Sequence, residues 1–176
     1  NAIQNTLSFF SFGLISSTDA VRLRAEADAA ATNASERVKE ASVTIEADQL
    51  SSINQGLLVL VGLEKRDDIS IGIRILEKIL SYRIFDDAGG RMNLSVKDIA
   101  GGVLLVPQFT LAASTGRGLR PSFSDAMPPA DAHDLFQEMY HKLKERHEPT
   151  LSGRFGADMQ VALINDGPVT FLLELR

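Results

Sequence analysis

Apolar residues recur along this chain in patterns that predict a strand-rich order of elements. Ala41-Ser42-Val43-Thr44-Ile45 alternates as a strand does, and Gly56 opens the continuous run Leu57-Leu58-Val59-Leu60-Val61. That run and Val103-Leu104-Leu105-Val106 lack alternation, which predicts strands buried on both faces. Ile69, Ile73, Leu76 and Leu80 follow helical spacing behind Asp67 and Asp68, two capping residues, and predict a helix to about Tyr82. Asp86-Asp87-Ala88-Gly89-Gly90 is turn chemistry. A second helix starts near Pro129, carries Leu135, Phe136, Met139, Tyr140 and Leu143 on its apolar face, and stops before Pro149. Residues 159–164 and 169–175 read as two terminal strands. The order of elements predicts one mixed α/β domain without internal repeats.

Between those last two strands lies Asn165-Asp166-Gly167-Pro168. Gly167 supplies backbone freedom, and Pro168 fixes φ and removes a donor. On the turn alone the expectation is a hairpin connection. At the other end, residues 17–36 are Ala-rich with mixed charges and no wide apolar stripe, which predicts an exposed helix or a mobile insertion.

The chain has 176 residues, enough for one domain with its own core, and its 44% apolar and 23% charged residues are ordinary for a soluble protein. With no cysteine, thiol nucleophiles and thiolate metal sites are excluded. A net charge of −5 confines any nucleic-acid contact to a local basic patch. Leu7 to Ile15 is too short to span a bilayer and no positive charge precedes it, so no membrane association and a cytoplasmic location are expected. The chain opens on Asn1 rather than Met, which leaves room for residues upstream.

Side-chain chemistry is sparse. His133, His141 and His147 do not stack on one helix face, so they read as solvated helix histidines, and no metal or cofactor is expected. There is no Gly-x-Ser-x-Gly elbow and no Walker-type phosphate loop. Gln108, Phe109 and Thr110 follow a strand that ends at Pro107; continued alternation sends Gln108 and Thr110 to one face and Phe109 to the other. The loop from Ser114 to Pro121 carries Arg117 and Arg120 beside two glycines, which suits an anion as well as a solvated surface. Gly153-Arg154-Phe155-Gly156 is a second basic-aromatic turn, whose Phe155 can stack on a base or fill core.

Taken in order, these residues resemble the D-aminoacyl-tRNA deacylase family. Pro107-Gln108-Phe109-Thr110-Leu111-Ala112-Ala113 is similar to its first motif (Ser-Gln-Phe-Thr-Leu-x-Ala), and Asn165-Asp166-Gly167-Pro168-Val169-Thr170-Phe171 to its second. Arg37-Val38 before Ala41–Ile45, Arg83-Ile84-Phe85 with Met92-Asn93-Leu94, Arg120-Pro121-Ser122-Phe123, and Gly153 to Val161 add further matches from about Arg37 to Leu175. The chain then divides into residues 1–36, an extension or insertion, and residues 37–176, the deacylase domain. The resemblance implies a single α/β domain with a mainly antiparallel, barrel-like sheet and two helices, assembled as a homodimer with the active site at the subunit interface.

The implied reaction is hydrolysis of the ester joining a D-amino acid, or mischarged glycine, to tRNA. The implied catalytic group is Gln108, Phe109 and Thr110, aided by the RNA's own 2′-hydroxyl. In the family the Gly-Pro bond is cis, and its carbonyls exclude an L side chain, a role that falls here to Gly167 and Pro168 with Asn165 beside them. Arg37 matches an arginine that braces this turn, and Phe155 an aromatic near the pocket; Arg117, Arg120 and Arg154 are candidates for tRNA phosphates. Two departures stand out. Pro107 replaces the usual serine, as in the animal-type deacylases that tolerate certain L-aminoacyl-tRNAs. Thr32-Asn33-Ala34-Ser35-Glu36 is polar where the family begins with an apolar strand, a place that Asn1-Ala2-Ile3-Gln4 could fill instead. A non-enzymatic dimeric nucleic-acid-binding module on the same scaffold is the alternative of another class.

Overall fold

The computed structural model describes residues 30–46, 48–116 and 118–175. Its elements are β1 (Ala30–Ile45), β2 (Asp48–Ile53), β3 (Gly56–Gly62), α1 (Ile69–Ser81), β4 (Phe85–Asp86), β5 (Met92–Leu94), β6 (Gly102–Pro107), α2 (Pro129–Lys144), β7 (Thr150–Ser152) and β8 (Gln160–Leu175). The long strand β1 organises the sheet. On one edge it pairs antiparallel with β2 and then β3, and on the other with β8. From β3 the sheet continues in parallel through β6 to β7. Ser51 Oγ–H donates to the Ser152 carbonyl at 2.8 Å, drawing β2 towards β7 and curling the sheet into a nearly closed barrel.

The missing alternation in β3 and β6 has a direct cause. Leu57, Val59, Val61, Val103 and Leu105 pack against the helices, while Leu58, Leu60, Leu104 and Val106 pack into the barrel with Val38, Val43 and Val161. Both faces are dry, so both must be apolar. Asp68 caps α1 by accepting the Ile71 N–H at 2.9 Å. The buried stripe of α1 is wider than predicted: Gly72, Ile75, Leu76, Ile79 and Leu80 are buried, whereas Ile69 and Ile73 are only half-buried. A Cβ on Gly72 would come within 2.9 Å of Met139 Cγ, so the bare backbone lets α1 approach α2 closely. On α2 the buried residues are Ala132, Phe136, Met139 and Leu143, with Leu135 and Tyr140 half-buried at the margin. Among the described residues no helix is long and apolar enough to cross a membrane.

Two expectations change. The predicted hairpin between the terminal strands is absent: β8 runs from Gln160 to Leu175 against β1 as one strand, and Gly167-Pro168 sits within it. The Ala-rich segment is a strand from Ala30 onward, because Thr32–Val38 is held between β3 and Glu174–Asn165 of β8. Two ladders of backbone hydrogen bonds override the helical propensity of alanine there. The candidate strand Asn1–Gln4 and the rest of the segment before Ala30 lie outside the described residues.

This polar strand carries a cost. Asn33 is wholly buried opposite Val61 and Leu173, and neither its amide nitrogen nor its oxygen has a hydrogen-bond partner. Each unsatisfied group forfeits its solvation without compensation. Asn33→Val therefore raises stability by about 1–3 kcal/mol in urea unfolding; an equal or lower midpoint contradicts this account.

Candidate functional site

The irregularity in β8 sits where β1 contributes a single arginine. Val38 pairs with Asn165 and Glu36 with Thr170, so Arg37 alone faces residues 166–169. The surplus forms a bulge whose tip, Gly167 and Pro168, is exposed, with the Gly167–Pro168 peptide in the cis form. Gly167 has φ +145°, and a Cβ there would lie 2.5 Å from Val169 Cγ2 and 3.3 Å from Arg37 Nη2, so only glycine fits. Val169 and Phe171 return the chain to the helix-side core, where Phe171 meets Tyr82 edge-on at 5.1 Å.

Arg37 and Asn165 hold the bulge from two sides. Arg37 is buried; its Nε–H donates to the Asp166 carbonyl at 2.7 Å and its Nη1–H to the Ile84 carbonyl at 2.8 Å. The carboxylates of Asp86 and Asp166 lie 3.6 Å from the guanidinium, and Lys39 approaches Asp166 at 3.7 Å. Asn165 closes the loop: its Oδ1 accepts the Val169 N–H at 2.8 Å, and its Nδ2 donates to Thr170 Oγ1 at 3.1 Å and Glu36 Oε2 at 3.2 Å. Burial pushes the Glu36 carboxyl above its ordinary value, and the hydrogen bond from Asn165 opposes that rise. The hairpin supplying Ile84 and Asp86 is itself fixed: Asp87 accepts from the Asn93 amide and from the Arg91 and Gly89 backbone N–H groups, which hold its carboxyl below the ordinary value.

The other motif differs from its predicted form. After Pro107 the strand stops, and Phe109–Ala112 is a turn of 3-10 helix. Gln108 and Thr110 still meet, Gln108 Nε2–H donating to Thr110 Oγ1, but the turn rather than strand alternation brings them together. Phe109 is 60% exposed and packs on Phe123, ring centroids 5.1 Å apart. Sequence reasoning missed Phe123 as a partner, along with Glu36 and Asp86. Only an exposed apolar residue in the Arg120-Pro121-Ser122-Phe123 match hinted at the first of these.

Other candidates are scattered. The turn after Gly153 abuts this motif: the Gly153 N–H donates to the Leu105 carbonyl at 2.7 Å, and Pro107 Cδ lies 3.4 Å from where a Gly153 Cβ would stand. Phe155 takes the core-filling option, edge-on to His133 at 5.6 Å and beside Phe136. Arg120 and Arg154 are exposed, while Arg117 lies outside the described residues. His147 is no solvated helix histidine; it is buried beyond α2 with Nε2 2.7 Å from the Gly101 carbonyl. Among the described residues no three acidic or histidine side chains gather as a metal site.

Within one chain the two motifs stand apart. Arg37, opposite the bulge, pairs with Leu57 of β3, whereas the Gln108 N–H donates to the Val61 carbonyl four residues further along that strand. At roughly 3.3 Å per residue this is about 13 Å along the sheet, before the lateral offset of β8 is added.

A model of the family described as D-Tyr-tRNA(Tyr) deacylase matches residues 35–174. The chain belongs to the D-Tyr-tRNA(Tyr) deacylase family. Curated relatives named D-aminoacyl-tRNA deacylase are 53% identical over 139 residues in Stutzerimonas stutzeri and 55% over 139 residues in Pseudomonas fluorescens, each covering 79% of this chain and 96% of the relative. A solved structure titled "c-Myc DNA Unwinding Element Binding Protein" is similar with TM-score 0.79 and 36% identity, over 82% of this chain and 99% of that one. A "probable eukaryotic D-amino acid tRNA deacylase" shares the fold, with TM-score 0.71 and 15% identity over 82% and 99%. Deacylation of an aminoacyl-tRNA is hydrolysis of an ester bond, so the deacylase site to be explained is that of an ester hydrolase.

In this deacylase Arg37 carries the bulge mechanically. Arg37→Met leaves the Asp166 and Ile84 carbonyls without their donor, and costs about 2–4 kcal/mol in urea unfolding. A loss under about 0.5 kcal/mol would mean that the bulge holds itself.

Proposed function

We propose that this chain hydrolyses the ester linking a D-amino acid, or glycine, to the terminal adenosine of tRNA, and rejects L-aminoacyl esters by means of the Gly167-Pro168 bulge. The observation that carries this reading is the exposed bulge itself, pinned by Arg37 and Asn165. Backbone atoms cannot rotate aside as a side chain can. A rigid pair of carbonyls facing the substrate's α-carbon therefore excludes an L side chain by position, while a D side chain or a hydrogen passes.

Chemistry enters through positioning. Aminoacyl esters are activated already, so orienting the carbonyl and polarising it contribute most of the acceleration required. Thr110, the backbone amides near Phe109, and Gln108 orient the adenosine and the ester. Water adds to the carbonyl carbon, the C–O bond to the ribose breaks, and the departing ribose oxygen takes a proton. The substrate's 2′-hydroxyl assists that water; no histidine or cysteine is needed. Thr110 is an orienting group rather than a nucleophile, since the hydrogen-bond partner of its hydroxyl among the described residues is the Gln108 amide, which is not a base. Arg117, Arg120 and Arg154 contact tRNA phosphates, and substitution of Arg120 or Arg154 by Ala lowers the salt dependence of tRNA binding by about one unit of slope each.

The site is completed by a second copy of the chain in a symmetric dimer, in which the bulge of one subunit faces Thr110 of the other. The separation of the two motifs along β3 supports this arrangement. The protein acts in the cytoplasm, where tRNA is charged. The relative titled as a DNA unwinding element binding protein favours one other reading, a nucleic-acid-binding module without turnover. Pro107-Gln108 leaves a third, a deacylase acting on certain mischarged L-aminoacyl-tRNAs.

Hydrolysis of D-Tyr-tRNA and Gly-tRNA against L-Tyr-tRNA separates these readings; no turnover supports the second, and indifference to chirality removes the first. Thr110→Ala lowers turnover about 10²–10³-fold, and Gly167→Ala, checked for folding by circular dichroism, abolishes discrimination or activity. Where Gly167→Ala abolishes activity, unfolding and refolding an equal mixture of the two variants returns about a quarter of wild-type activity, because half the dimers contain one intact site of two. Failure to regain activity rules out the shared site.

A further inference from the structure

Glu36 lies directly beneath the bulge, and neither motif includes it. It is opposite Thr170 on β8 and Leu58 on β3, on the barrel side of the sheet with Val38, and its carboxylate receives the Asn165 amide. That amide is the clasp of the bulge. The same Asn165 side chain uses its oxygen to hold the Val169 N–H, immediately after Pro168, and its nitrogen to hold Thr170.

An ionised carboxylate can only accept, so it admits one orientation of the Asn165 amide, with Nδ2 towards Glu36 and Oδ1 towards Val169. A protonated carboxyl can also donate. The amide can then turn over, presenting its oxygen to Glu36 and its NH₂ to Val169, whose N–H loses its acceptor. The charge state of Glu36 thus selects between a clasped and an unclasped bulge. We propose that Glu36 is a positioning residue for the bulge, acting through Asn165, and that its ionisation sets how strictly L-aminoacyl esters are rejected. This rests on the reading of the bulge as the chirality filter.

The surroundings push the titration of this group upward. Burial raises the Glu36 carboxyl above its ordinary value of 4.5, against the opposing Asn165 hydrogen bond. Among the described residues it has no cationic partner. Its neighbours on β1, Arg37 and Lys39, are engaged with Asp166, and Arg37 with Asp86 as well. The other titratable residues on its two strands are acidic, Glu40 on β1 and Asp166 and Glu174 on β8, with Glu174 on the same face as Thr170, and β3 contributes none. A raised folded value means that the native state favours the proton. The associated stability is therefore complete below pH 4.5 and is lost as pH rises through the folded value. The clasp is gained over the same interval in which that stability is lost.

The test is the ratio of D-Tyr-tRNA to L-Tyr-tRNA hydrolysis, corrected for uncatalysed loss, from about pH 5 to 7.5 for wild type, Glu36→Gln and Glu36→Leu. Wild type loses selectivity roughly tenfold as pH falls, the effect of one hydrogen bond to a charged group. Glu36→Gln, which like the protonated carboxyl can both donate and accept and does not titrate, shows the lowered selectivity of acidic wild type at every pH, with a flat profile. Glu36→Leu is poorly selective at every pH. A wild-type profile matching that of Glu36→Gln overturns the proposal. The Asn165 side-chain amide resonances decide it independently of activity: they move with a midpoint above pH 4.5 in wild type and stay fixed in Glu36→Gln. Static resonances in wild type overturn the role of Glu36, whereas moving resonances with no chiral preference at pH 7.5 overturn the reading of the bulge as a filter and leave the clasp standing.

Discussion

One residue of β1, Arg37, lies opposite four of β8, and that mismatch must be absorbed without leaving buried carbonyls unpaired. The solution is a guanidinium whose donors diverge in a fixed plane. One arm takes the Asp166 carbonyl at the foot of the bulge and another takes Ile84, which ties the bulge to the β4–β5 hairpin. Asn165 performs the complementary task from within β8, bridging the gap to Val169 and Thr170. The bulge therefore projects Gly167 and Pro168 while its base remains as ordered as the sheet. The two apolar layers on either side of β1, helices on one face and barrel on the other, keep that base rigid.

The sequence made the apolar architecture legible because periodicity is a local signal. Unbroken runs in β3 and β6, the Asp68 cap and the proline opening α2 all act over a few residues. Misread features depend on neighbours distant in the chain. Gly167-Pro168 looks like a hairpin because turn chemistry is the same in a hairpin and a bulge; only pairing of β8 with β1, some 130 residues away, separates them. The polar segment Thr32–Glu36 looks unlike a strand because nothing local reveals β3 and β8 on its two edges. His147, expected in water, is buried because the Gly101 carbonyl accepts its ring nitrogen.

Of the candidate site, the two motifs were legible as strings and their supports were not. Arg37 was found through a family match, whereas Glu36, Asp86 and Phe123 act through contacts that no spacing rule predicts. Gln108 and Thr110 were placed together for the wrong reason: a 3-10 turn, not a pleated strand, brings them into contact. That difference has chemical weight, since a tight turn exposes its leading amides, and exposed amides are the donors that a carbonyl or a ribose requires.

On the proposed reading, rejection by position and catalysis by orientation place opposite demands on a single subunit. A filter must be stiff, and stiffness here comes from the middle of the sheet, where Arg37 and Asn165 tie β1 to β8. An orienting site for a nucleic-acid terminus must be open, and the open end of this fold is the turn after β6, where Phe109 and Phe123 are exposed. The two lie about 13 Å apart along β3, a distance that no side chain of either motif spans. On that reading, a second copy of the chain brings the two onto one substrate. On the proposed reading, the dimer is therefore the way this fold combines a rigid filter with an accessible site.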